Sequence, residues 1–326
     1  METEKKIRNI GILTSGGDAP GMNAAVRSVV RTASYFGYQP FGIRRGFHGL
    51  WRGDIDELSN RQVSDKLQRG GTFLMTARSA TFNSPEGVAK GIEMAKIFNL
   101  DVIVTVGGDG TFRGARDLAR QGFPVIGIPA TIDNDIACSD YTIGYDTAMN
   151  TAMQAIDKLR DTASSHERCS VIEVMGRHAG YIALNVGIAC GAEVVLIPEI
   201  GHEIESVVVK PLLEARNRGK MHYIVIVAEG AGHATEIAER VESITGIEAR
   251  PTILGHLQRG GSPTVRDRYM ASMMGYHAIQ CIQDHRLNRI IAYKQGDLVD
   301  IDIEEALEMK KTIDLEELKK ARILST

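Results

Sequence analysis

Short apolar runs alternate with segments of helical periodicity along almost the whole chain. The apolar runs predict strands at Ile7–Leu13, Val102–Val106, Val125–Ile128, Val171–Val174, Val194–Ile197, Tyr223–Val227 and Thr252–Leu254. The segments between them predict helices near Asn23–Tyr35, Phe112–Arg120, Thr147–Asp161, Ala179–Ala189, Glu205–Arg216, Thr235–Thr245 and Val265–Asp284. Strands that alternate with helices are typical of an α/β fold, in which mainly parallel sheets are covered by helices. Such sheets bind ligands at the carboxyl ends of their strands.

The length and composition refine this picture. At 326 residues the chain exceeds the roughly 250–300 residues at which a single core stops growing, so we expect two doubly wound lobes. Hydrophobic residues make up 43% and charged residues 24%, as in an ordinary globular protein. The net charge of −3 excludes a general attraction to nucleic acid or to an anionic membrane. Anionic ligands would therefore need locally placed arginines.

The cysteines and the apolar runs bear on the compartment. No CxxC pair occurs among the four cysteines, Cys138, Cys169, Cys190 and Cys281, which favours a reduced, cytoplasmic setting. The first residues, Met1 to Arg8, are charged and polar and lack the apolar segment of a signal peptide. No run approaches the roughly 18 apolar residues of a membrane span.

A first glycine-rich segment follows the predicted strand Ile7–Leu13. It reads Thr14-Ser15-Gly16-Gly17-Asp18-Ala19-Pro20-Gly21-Met22-Asn23 and leads into a helix. Glycines let backbone N–H groups approach a phosphate, and the helix N-terminus adds unpaired N–H groups and about half a positive charge. The glycine spacing is that of a Walker A loop, but Met22-Asn23 replaces its Lys-Ser/Thr pair, so this is no P-loop NTPase. A tight turn without a ligand has the same glycine pattern.

A second glycine-rich segment follows the predicted strand Val102–Val106. It reads Gly107-Gly108-Asp109-Gly110-Thr111 and also leads into a helix. A carboxylate among glycines suits Mg²⁺, which takes hard oxygen ligands and keeps several waters. The alternative is that Asp109 only shapes a turn, but two such loops in one chain favour a phosphate ligand.

Two carboxylates lie two residues apart in Thr131-Ile132-Asp133-Asn134-Asp135, just after the strand Val125–Ile128. In an extended segment Asp133 and Asp135 would point the same way, and carboxylates that close repel or share a metal. In phosphoryl transfer one Asp accepts the proton of the substrate hydroxyl, and we assign this role to Asp133, assisted by Thr131 and Asp135. An Asx-rich turn is the alternative.

Five arginines lie near predicted strand ends or loops and are candidates for bidentate phosphate recognition. They are Arg78, Arg168, Arg177, Arg250 and Arg259. For any one of them a solvated or ion-paired surface role remains open. The segment His256-Leu257-Gln258-Arg259-Gly260-Gly261 places polar side chains beside two glycines after a strand. The nine histidines show no HExxH or other metal-ligand spacing.

Taken together, these motifs resemble the phosphofructokinase family, and within it the bacterial, ATP-dependent branch. The match runs from Ile10 to about Asp267. Besides the three segments already described it includes Arg69-Gly70-Gly71-Thr72, Met175-Gly176-Arg177 and Leu254-Gly255-His256-Leu257-Gln258-Arg259-Gly260-Gly261-Ser262. The joint match is highly specific, whereas any one motif alone is not.

The resemblance implies transfer of the ATP γ-phosphate to the 1-hydroxyl of fructose 6-phosphate, a reaction of glycolysis. ATP would be held by Gly17, Arg78, Ser79, Gly108, Asp109, Gly110 and Thr111, with Mg²⁺ on Asp109. The catalytic residues would be Asp133, Thr131, Asp135 and Arg177, with Arg177 stabilising charge on the transferring group. The sugar phosphate would be surrounded by Thr131, Asp133, Met175, Gly176, Arg177, Glu229, His256 and Arg259. Arg168 and Arg250 would reach in from a neighbouring subunit, which implies a homo-oligomer, usually a tetramer.

The family also divides by phosphate donor. Pyrophosphate users typically carry Asp at the position of Gly110 and Lys at the position of Ala130, and this chain has neither. A carboxylate at Gly110 would repel the α-phosphate of ATP, so the resemblance favours ATP. Pyrophosphate dependence remains the alternative.

Several positions depart from the family pattern. Phe47 stands where a Tyr usually lines the adenine site, and Ser79 replaces an aromatic residue. The family's effector site for ADP or phosphoenolpyruvate is matched only in part: Arg27, Arg31, Arg160, Glu193, Arg218, Lys220 and His222 are its candidate residues. Asn60 sits where an Arg is expected, with Arg61 beside it. We therefore expect allosteric regulation whose strength or ligand preference differs from that usual in the family.

Two rival functions are weighed against this one. NAD kinases and diacylglycerol kinases also carry a Gly-Gly-Asp-Gly-Thr loop but are not expected to combine it with the other motifs. A catalytically silent nucleotide-sensing subunit is a rival of another class, although the base and the metal ligand are both present. The expected lobes are 1–139 plus 252–303 for ATP and 140–251 plus 304–326 for the sugar phosphate.

Overall fold

The α/β fold predicted from the hydrophobic pattern is confirmed. The computed structural model describes residues 7–77 and 79–325. Within this part the chain divides into two compact units, each built around its own sheet. Unit one comprises residues up to Ile132 together with Ile136–Asp146 and Arg259–Lys311. Unit two comprises Asp133–Asp135, Thr147–Gln258 and the residues from Thr312 onward.

Unit one contains a seven-stranded sheet. Its strands are β1 (Asn9–Thr14), β2 (Gln39–Ile43), β3 (Ile55–Glu57), β4 (Val102–Gly107), β5 (Val125–Pro129), β10 (Arg289–Lys294) and β11 (Asp297–Asp302). They lie in the order β11-β10-β5-β4-β1-β2-β3, and the five inner strands are parallel while β3 and β11 are antiparallel edges. The order of connection reverses between β1 and β4. Open α/β sheets bind ligands at such a switch point.

Unit two contains a four-stranded parallel sheet. Its strands are β6 (Cys169–Val174), β7 (Val194–Leu196), β8 (Tyr223–Ala228) and β9 (Ala249–Ile253), in the order β7-β8-β6-β9. Every residue of β6, β7 and β8 is buried, as expected for strands covered on both faces. The carboxyl ends of these parallel strands therefore share one edge of the sheet.

Helices cover the sheets. They are α1 (Met22–Tyr35), α2 (Gly46–Arg52), α3 (Pro85–Ile97), α4 (Asp109–Arg120), α5 (Tyr145–Ser164), α6 (Tyr181–Cys190), α7 (Lys210–Asn217), α8 (Ala234–Thr245), α9 (Val265–Gln283), α10 (Ile303–Glu308) and α11 (Leu315–Leu324). A π-helical turn, Glu205–Val209, leads into α7, and 3-10 turns occur at Thr81–Asn83 and Gly255–Arg259. None of the helices in the described residues combines the length and apolar character needed to cross a membrane.

All seven predicted strands and all seven predicted helices have counterparts, but some elements were not predicted. The missed strands are β2, β3, β10 and β11, and the missed helices are α2, α3, α10 and α11. Strand β2 contains proline and glycine, and β11 carries three aspartates on a half-exposed edge. Such segments lack the continuous apolar run or strict alternation by which strands are recognised.

The unit limits differ from the lobe ranges expected from the sequence. Residues 140–146 and 304–311 lie in unit one, and residues 133–135 and 252–258 lie in unit two. Ile143 forms a parallel bridge with Ala130, and Lys311 donates to the carbonyl of Ser139 at 2.8 Å, which ties both segments to the larger sheet. These are long-range contacts, which hydrophobic periodicity does not reveal.

Candidate active site

The two glycine-rich loops lie side by side in unit one. The first follows β1 and the second follows β4, the two neighbouring strands between which the sheet order reverses. The N–H of Ser15 donates to the carbonyl of Val106 at 3.0 Å, so the loops remain adjacent beyond the ladder. Each loop enters a helix, α1 or α4, whose N-terminal N–H groups favour an anion.

Several glycines of the first loop are required by conformation or by space. Gly16 and Gly21 have φ values of 84° and 104°, which L-residues rarely adopt. A Cβ on Gly17 would lie 2.5 Å from Nη1 of Arg259. The same Nη1 donates to the carbonyl of Asp18 at 3.2 Å. Arg259 therefore packs against the first loop within unit one.

The Arg69–Thr72 motif braces the first loop. Asn23 Nδ2 donates to the carbonyls of Arg69 and Gly70, each at 3.1 Å, and its Oδ1 accepts from the N–H of Phe73 at 2.9 Å. The hydroxyls of Thr14 and Thr72 are hydrogen-bonded at 2.9 Å. Asn23 stands in the place of the Walker A Ser/Thr, and its side chain here satisfies backbone groups of the neighbouring motif.

The second loop surrounds a buried hydroxyl. Thr111 is 2% exposed, and its Oγ1 has no hydrogen-bond partner among the described residues. A Cβ on Gly107 would collide with this Oγ1 and would lie 2.5 Å from the carbonyl oxygen of Ser15, and a Cβ on Gly16 would lie 3.6 Å from Oγ1. The hydroxyl therefore lies beneath the backbone of both loops, close to Gly16 and Gly107. A buried polar atom without a partner is costly, and a ligand oxygen or water would remove that cost.

Asp109 occupies the first turn of α4. Its side chain is 44% exposed and pairs with Arg113, the Nε–Oδ2 distance being 2.8 Å. The hydrogen bond with Asp109 is the largest cause that raises the pKa of Arg113. An exposed pair of this kind contributes little to stability, so the carboxylate can exchange its partner for a cation.

Gly110 and Ala130 differ in their surroundings. A Cβ on Gly110 would meet nothing within 4 Å, so packing within the protein does not require glycine there. Ala130 is 1% exposed, and its N–H donates to the carbonyl of Gly107 at 2.9 Å. A lysine at that buried position would need an anionic partner.

The carboxylate segment is a turn, so the expectation of an extended segment was wrong. Ile132 and Asp133 form the turn, and Asn134 adopts φ 51°. Asn tolerates this left-handed conformation better than most residues, which explains the turn. The argument that Asp133 and Asp135 point the same way therefore does not hold. Asp133 is 6% exposed, while Asp135 is only half-buried, so their environments differ.

The motif Met175-Gly176-Arg177 follows β6 in unit two and contacts Glu229, which follows β8. Glu229 Oε1 accepts from the N–H of Gly176 at 3.2 Å and from that of Arg177 at 2.6 Å. Gly176 has φ 145° and Arg177 has φ 57°. The Arg177 residue is exposed, and Met175 is buried. Parallel strands thus bring together the Met175–Arg177 motif and Glu229, a residue that the family resemblance assigned to the sugar phosphate.

Tyr181 was not singled out from the sequence and lies near Asp135. It begins α6, directly after Gly180, whose N–H donates to Glu199 Oε1 at 2.8 Å. Burial, followed by the negative charges of Glu199 and Asp135, raises the pKa of Tyr181 to about 12. No residue-type pattern reveals this proximity, since it arises from strand order.

Arg168 and Arg250 lie near the amino-terminal ends of β6 and β9, opposite to the carboxyl ends that carry Met175 and Glu229. Arg168 precedes β6, and its Nε is 2.7 Å from Oε2 of Glu248, while Arg250 pairs with the other oxygen of the same carboxylate. The hydrogen bond from Arg168 is the largest cause that lowers the pKa of Glu248. The six-residue strand β6, at about 3.3 Å per residue, separates Arg168 from Met175 by roughly 20 Å.

His256 and Arg259 lie at the two ends of one 3-10 turn, Gly255–Arg259. His256 is exposed and belongs to unit two, whereas Arg259 belongs to unit one, where it contacts the first glycine loop. The family resemblance implies a sugar-phosphate role for both.

The predicted effector residues are distributed over both units. Arg27 and Arg31 lie on α1, and burial together with the charge of Arg31 lowers the pKa of Arg27. The unit-two members are Arg160, Glu193, Arg218, Lys220 and His222. Buried Glu193 forms an ion pair with Lys220 and accepts from the N–H of Ile224 at 2.5 Å, and Arg160 donates to the carbonyl of Cys190. Asn60 and Arg61 are exposed in unit one.

The predicted adenine-side residues differ in exposure. Phe47 is 6% exposed and stacks on Phe82 with ring centroids 4.5 Å apart, which leaves its ring little surface for a base. A Cβ on Gly114 would lie 2.7 Å from this ring, so α4 packs directly on it. Ser79 is half-buried, and its hydroxyl lies 3.1 Å from that of Thr81. Arg78 lies outside the described residues.

In the part of the chain that the structure describes, one group of potential metal ligands lies on α9 and β11. His277, Cys281 and Asp300 bring one ligand atom each within 4.8 Å of one another. Asp300 is already paired with Arg286 and with Arg289, the Arg289 Nε–Oδ2 distance being 2.9 Å. Two cationic side chains on the only carboxylate of the group oppose a metal ion there.

Comparison with known proteins agrees with the motifs. The pattern of the family described as "Phosphofructokinase" matches residues 9–282. This chain belongs to the phosphofructokinase family. A Clostridium tetani protein named ATP-dependent 6-phosphofructokinase is 50% identical over 319 residues, which cover 98% of this chain and all of that protein. A Clostridium botulinum protein of the same name matches equally well. Other kinases with a Gly-Gly-Asp-Gly-Thr loop are thereby set aside.

Solved structures of the family share the fold. Pichia pastoris phosphofructokinase in the T-state is 30% identical, with a TM-score of 0.89 over 99% of this chain and 37% of that one. Saccharomyces cerevisiae phosphofructokinase is 31% identical, with a TM-score of 0.87. The present chain spans about half the length of that yeast chain. A pyrophosphate-dependent phosphofructokinase from Marinobacter aquaeolei, 21% identical with a TM-score of 0.84 over 95% of this chain and 86% of that one, shares the fold alone.

Proposed function

We propose that this protein transfers the γ-phosphate of ATP to the 1-hydroxyl of fructose 6-phosphate, giving fructose 1,6-bisphosphate and ADP in glycolysis. The observation that carries the proposal is the pair of adjacent glycine loops around the buried Thr111 hydroxyl, in a chain half identical to ATP-dependent 6-phosphofructokinases. We place the reaction in the cytoplasm, where the four free thiols would stay reduced.

The nucleotide is assigned to unit one. Gly108 and Gly110 leave room for phosphate oxygens near backbone N–H groups, and Thr111 offers its buried hydroxyl. Gly17 lies in the first loop, where the cationic Arg259 packs against it. Asp109 fits Mg²⁺, because an exposed carboxylate beside phosphates and water is the donor set that this ion prefers. When bound, the ion would neutralise charge on the transferring phosphate. Ser79 and Arg78 complete the assignment by family resemblance.

The chemistry is assigned to the segment Thr131–Asp135. Asp133 would accept the proton of the sugar hydroxyl, with Thr131 and Asp135 beside it in the chain. Asp133 is 6% exposed and is therefore shielded from bulk water, which supports this role. Arg177 would stabilise charge on the phosphoryl group, and its exposed guanidinium is available for it.

The sugar phosphate is assigned to Met175, Gly176, Arg177, Glu229, His256 and Arg259, with Arg168 and Arg250 from a second subunit. The roughly 20 Å that separates Arg168 from Met175 supports a contribution from another chain, because one sugar phosphate does not span that length. A homotetramer with an ADP or phosphoenolpyruvate site is the corresponding assembly. The Glu193–Lys220 pair would then respond to the effector.

ATP is favoured over pyrophosphate as the donor. The space beside Gly110 is left open by the protein and suits the α-phosphate of a nucleotide. Ala130 is buried and uncharged, so it supplies no partner for a pyrophosphate oxygen.

A steady-state assay of the purified protein tests the proposal. Fructose 6-phosphate is supplied with Mg²⁺ and either ATP or pyrophosphate, with and without ADP and phosphoenolpyruvate. We expect turnover with ATP and none with pyrophosphate. Turnover with pyrophosphate alone would establish the alternative donor. If the protein binds nucleotide but shows no turnover with either donor, the enzyme assignment is wrong and a nucleotide-sensing subunit is favoured.

A further inference from the structure

Three successive backbone N–H groups of the Met175–Arg177 loop donate to side-chain oxygens. The N–H of Met175 donates to Gln258 Oε1 at 2.8 Å, and those of Gly176 and Arg177 donate to Glu229 Oε1. Most backbone groups are satisfied by other backbone groups, so a run of three held by two side chains is an unusual way to fix a loop. The loop follows β6, while Glu229 follows β8 and Gln258 follows β9, the strands on either side.

Gln258 is built into the interior of unit two. It is fully buried, and besides accepting from Met175 it donates through Nε2 to the carbonyl of Ala148 at 3.4 Å. A buried amide must keep its partners, because an unsatisfied polar group inside a protein is expensive. Gln258 therefore links the loop after β6 to α5 and leaves it little freedom to shift.

The loop needs such support because of its conformation. Arg177 adopts φ 57°, a left-handed conformation that is unfavourable for a non-glycine residue. Without fixed acceptors the backbone would relax, and the exposed Arg177 side chain would point elsewhere. The direction of this guanidinium thus depends on the two acceptors that hold the preceding N–H groups.

We propose that Gln258 is a positioning residue for sugar-phosphate binding, acting by holding the N–H of Met175 so that the loop presents Arg177 in a fixed direction. This proposal rests on the function proposed above. The hydrogen bonds of Gln258 join it to Met175 and Ala148 of its own unit, whereas the next residue, Arg259, donates to the first glycine loop of unit one. Loss of the Gln258 amide should therefore weaken the binding of the sugar phosphate and leave the binding of the nucleotide unchanged.

The test compares three variants. Gln258→Met keeps the side-chain volume but removes both the oxygen acceptor and the N–H donor of the amide. Gln258→Glu keeps an oxygen acceptor, and its protonated form also restores a donor. Thr245→Val is the control, since Thr245 Oγ1 donates to the carbonyl of Val241 at 2.7 Å and accepts from the N–H of Ile247 at 3.0 Å at the remote end of α8. The measurements are kcat, the KM for each substrate, and amide hydrogen exchange of residues 174–178.

For Gln258→Met we expect the KM for fructose 6-phosphate to rise roughly tenfold, as for loss of a buried hydrogen bond, with an unchanged KM for ATP and faster exchange at 174–178. Burial raises the pKa of a carboxyl group, so the KM of Gln258→Glu should approach that of the wild type as the pH falls from about 8 to about 6. Thr245→Val should change neither KM.

Two results would overturn the proposal: a KM for fructose 6-phosphate within about twofold of the wild type in Gln258→Met, or equal increases for both substrates, which would indicate a merely structural residue. A wild-type protein without turnover would overturn the proposed function. In that case hydrogen exchange decides on Gln258 alone, since unchanged exchange at 174–178 in Gln258→Met contradicts the proposed contact and faster exchange confined to that segment supports it.

Discussion

The glycine loops of unit one and the Met175–Arg177 loop of unit two both follow carboxyl ends of parallel strands, but different means hold them in place. The loops after β1 and β4 depend on missing side chains: a Cβ at Gly17 or Gly107 would collide with its neighbours. The loop after β6 depends on added side chains, because Gln258 and Glu229 hold its N–H groups.

This difference corresponds to the proposed ligands. A triphosphate needs backbone N–H groups and space close to the chain, so glycines and helix N-termini serve it. A sugar phosphate needs a guanidinium in one direction, so its loop must be rigid while Arg177 remains exposed. The glycine loops should lose their conformation and ligand binding when side-chain atoms are added. The Met175–Arg177 loop should lose them when its hydrogen-bond acceptors are removed.

The largest effect is expected outside both kinds of loop, at Asp133. Asp133→Asn should lower kcat by ~10²–10⁴ through loss of a positioned base, with the KM for ATP little changed. Asp140→Asn, the same change at an exposed carboxylate that accepts from the N–H of Gln295, is the matched control. Near-wild-type turnover of Asp133→Asn would show that the base is misassigned.

Adding a methyl group separates Gly107 from Gly110. Gly107→Ala should lower the free energy of unfolding by about 1–3 kcal/mol and raise the KM for ATP, because the carbonyl of Ser15 cannot move aside. Gly110→Ala meets no atom and lies in α4, so it should raise the free energy of unfolding by roughly 0.5–1 kcal/mol. Denaturant titration measures both changes. Equal losses of stability would contradict the view that only one glycine is required by packing.

Removing the charge of one acceptor tests the loop of unit two. Glu229→Gln keeps an oxygen but loses a charge-assisted contact with Gly176 and Arg177, so kcat/KM for fructose 6-phosphate should fall about fivefold to tenfold. Steady-state kinetics at saturating ATP measure the change. Glu242→Gln alters a comparable contact, to the N–H of Ala249 at 3.2 Å, and should not change the kinetics. A change in the KM for ATP would contradict the view that the Met175–Arg177 loop serves the sugar phosphate alone.

The smallest effect is expected at Glu248. Its lowered pKa means that the pairing with Arg168 persists above that pKa and is lost only as the pH falls through it, below the ordinary range of a carboxyl group. Near neutral pH, Glu248→Gln should lower the KM for fructose 6-phosphate by less than about threefold, because exposed ion pairs are weak. A severalfold increase in that KM would instead show that Glu248 orients the arginines for binding.

The order of elements and the site motifs could be read from the sequence. Buried strands such as Val102–Gly107 have continuous apolar runs, and the glycine loops have residue types that few other structures require. Edge strands such as Asp297–Asp302 could not be read, because their neighbours in the sheet supply the pairing that their own pattern lacks.

By itself, the sequence determined the fold class, the family and the residue types at the strand ends, since these follow from periodicity and local motifs. Only the tertiary structure decided which groups meet. The turn at Asp133, the packing of Arg259 on the first glycine loop and the contact of Gln258 with Met175 each join residues that are conformationally unusual or far apart in the chain. Strand order brings such partners together, and a linear pattern contains no record of strand order.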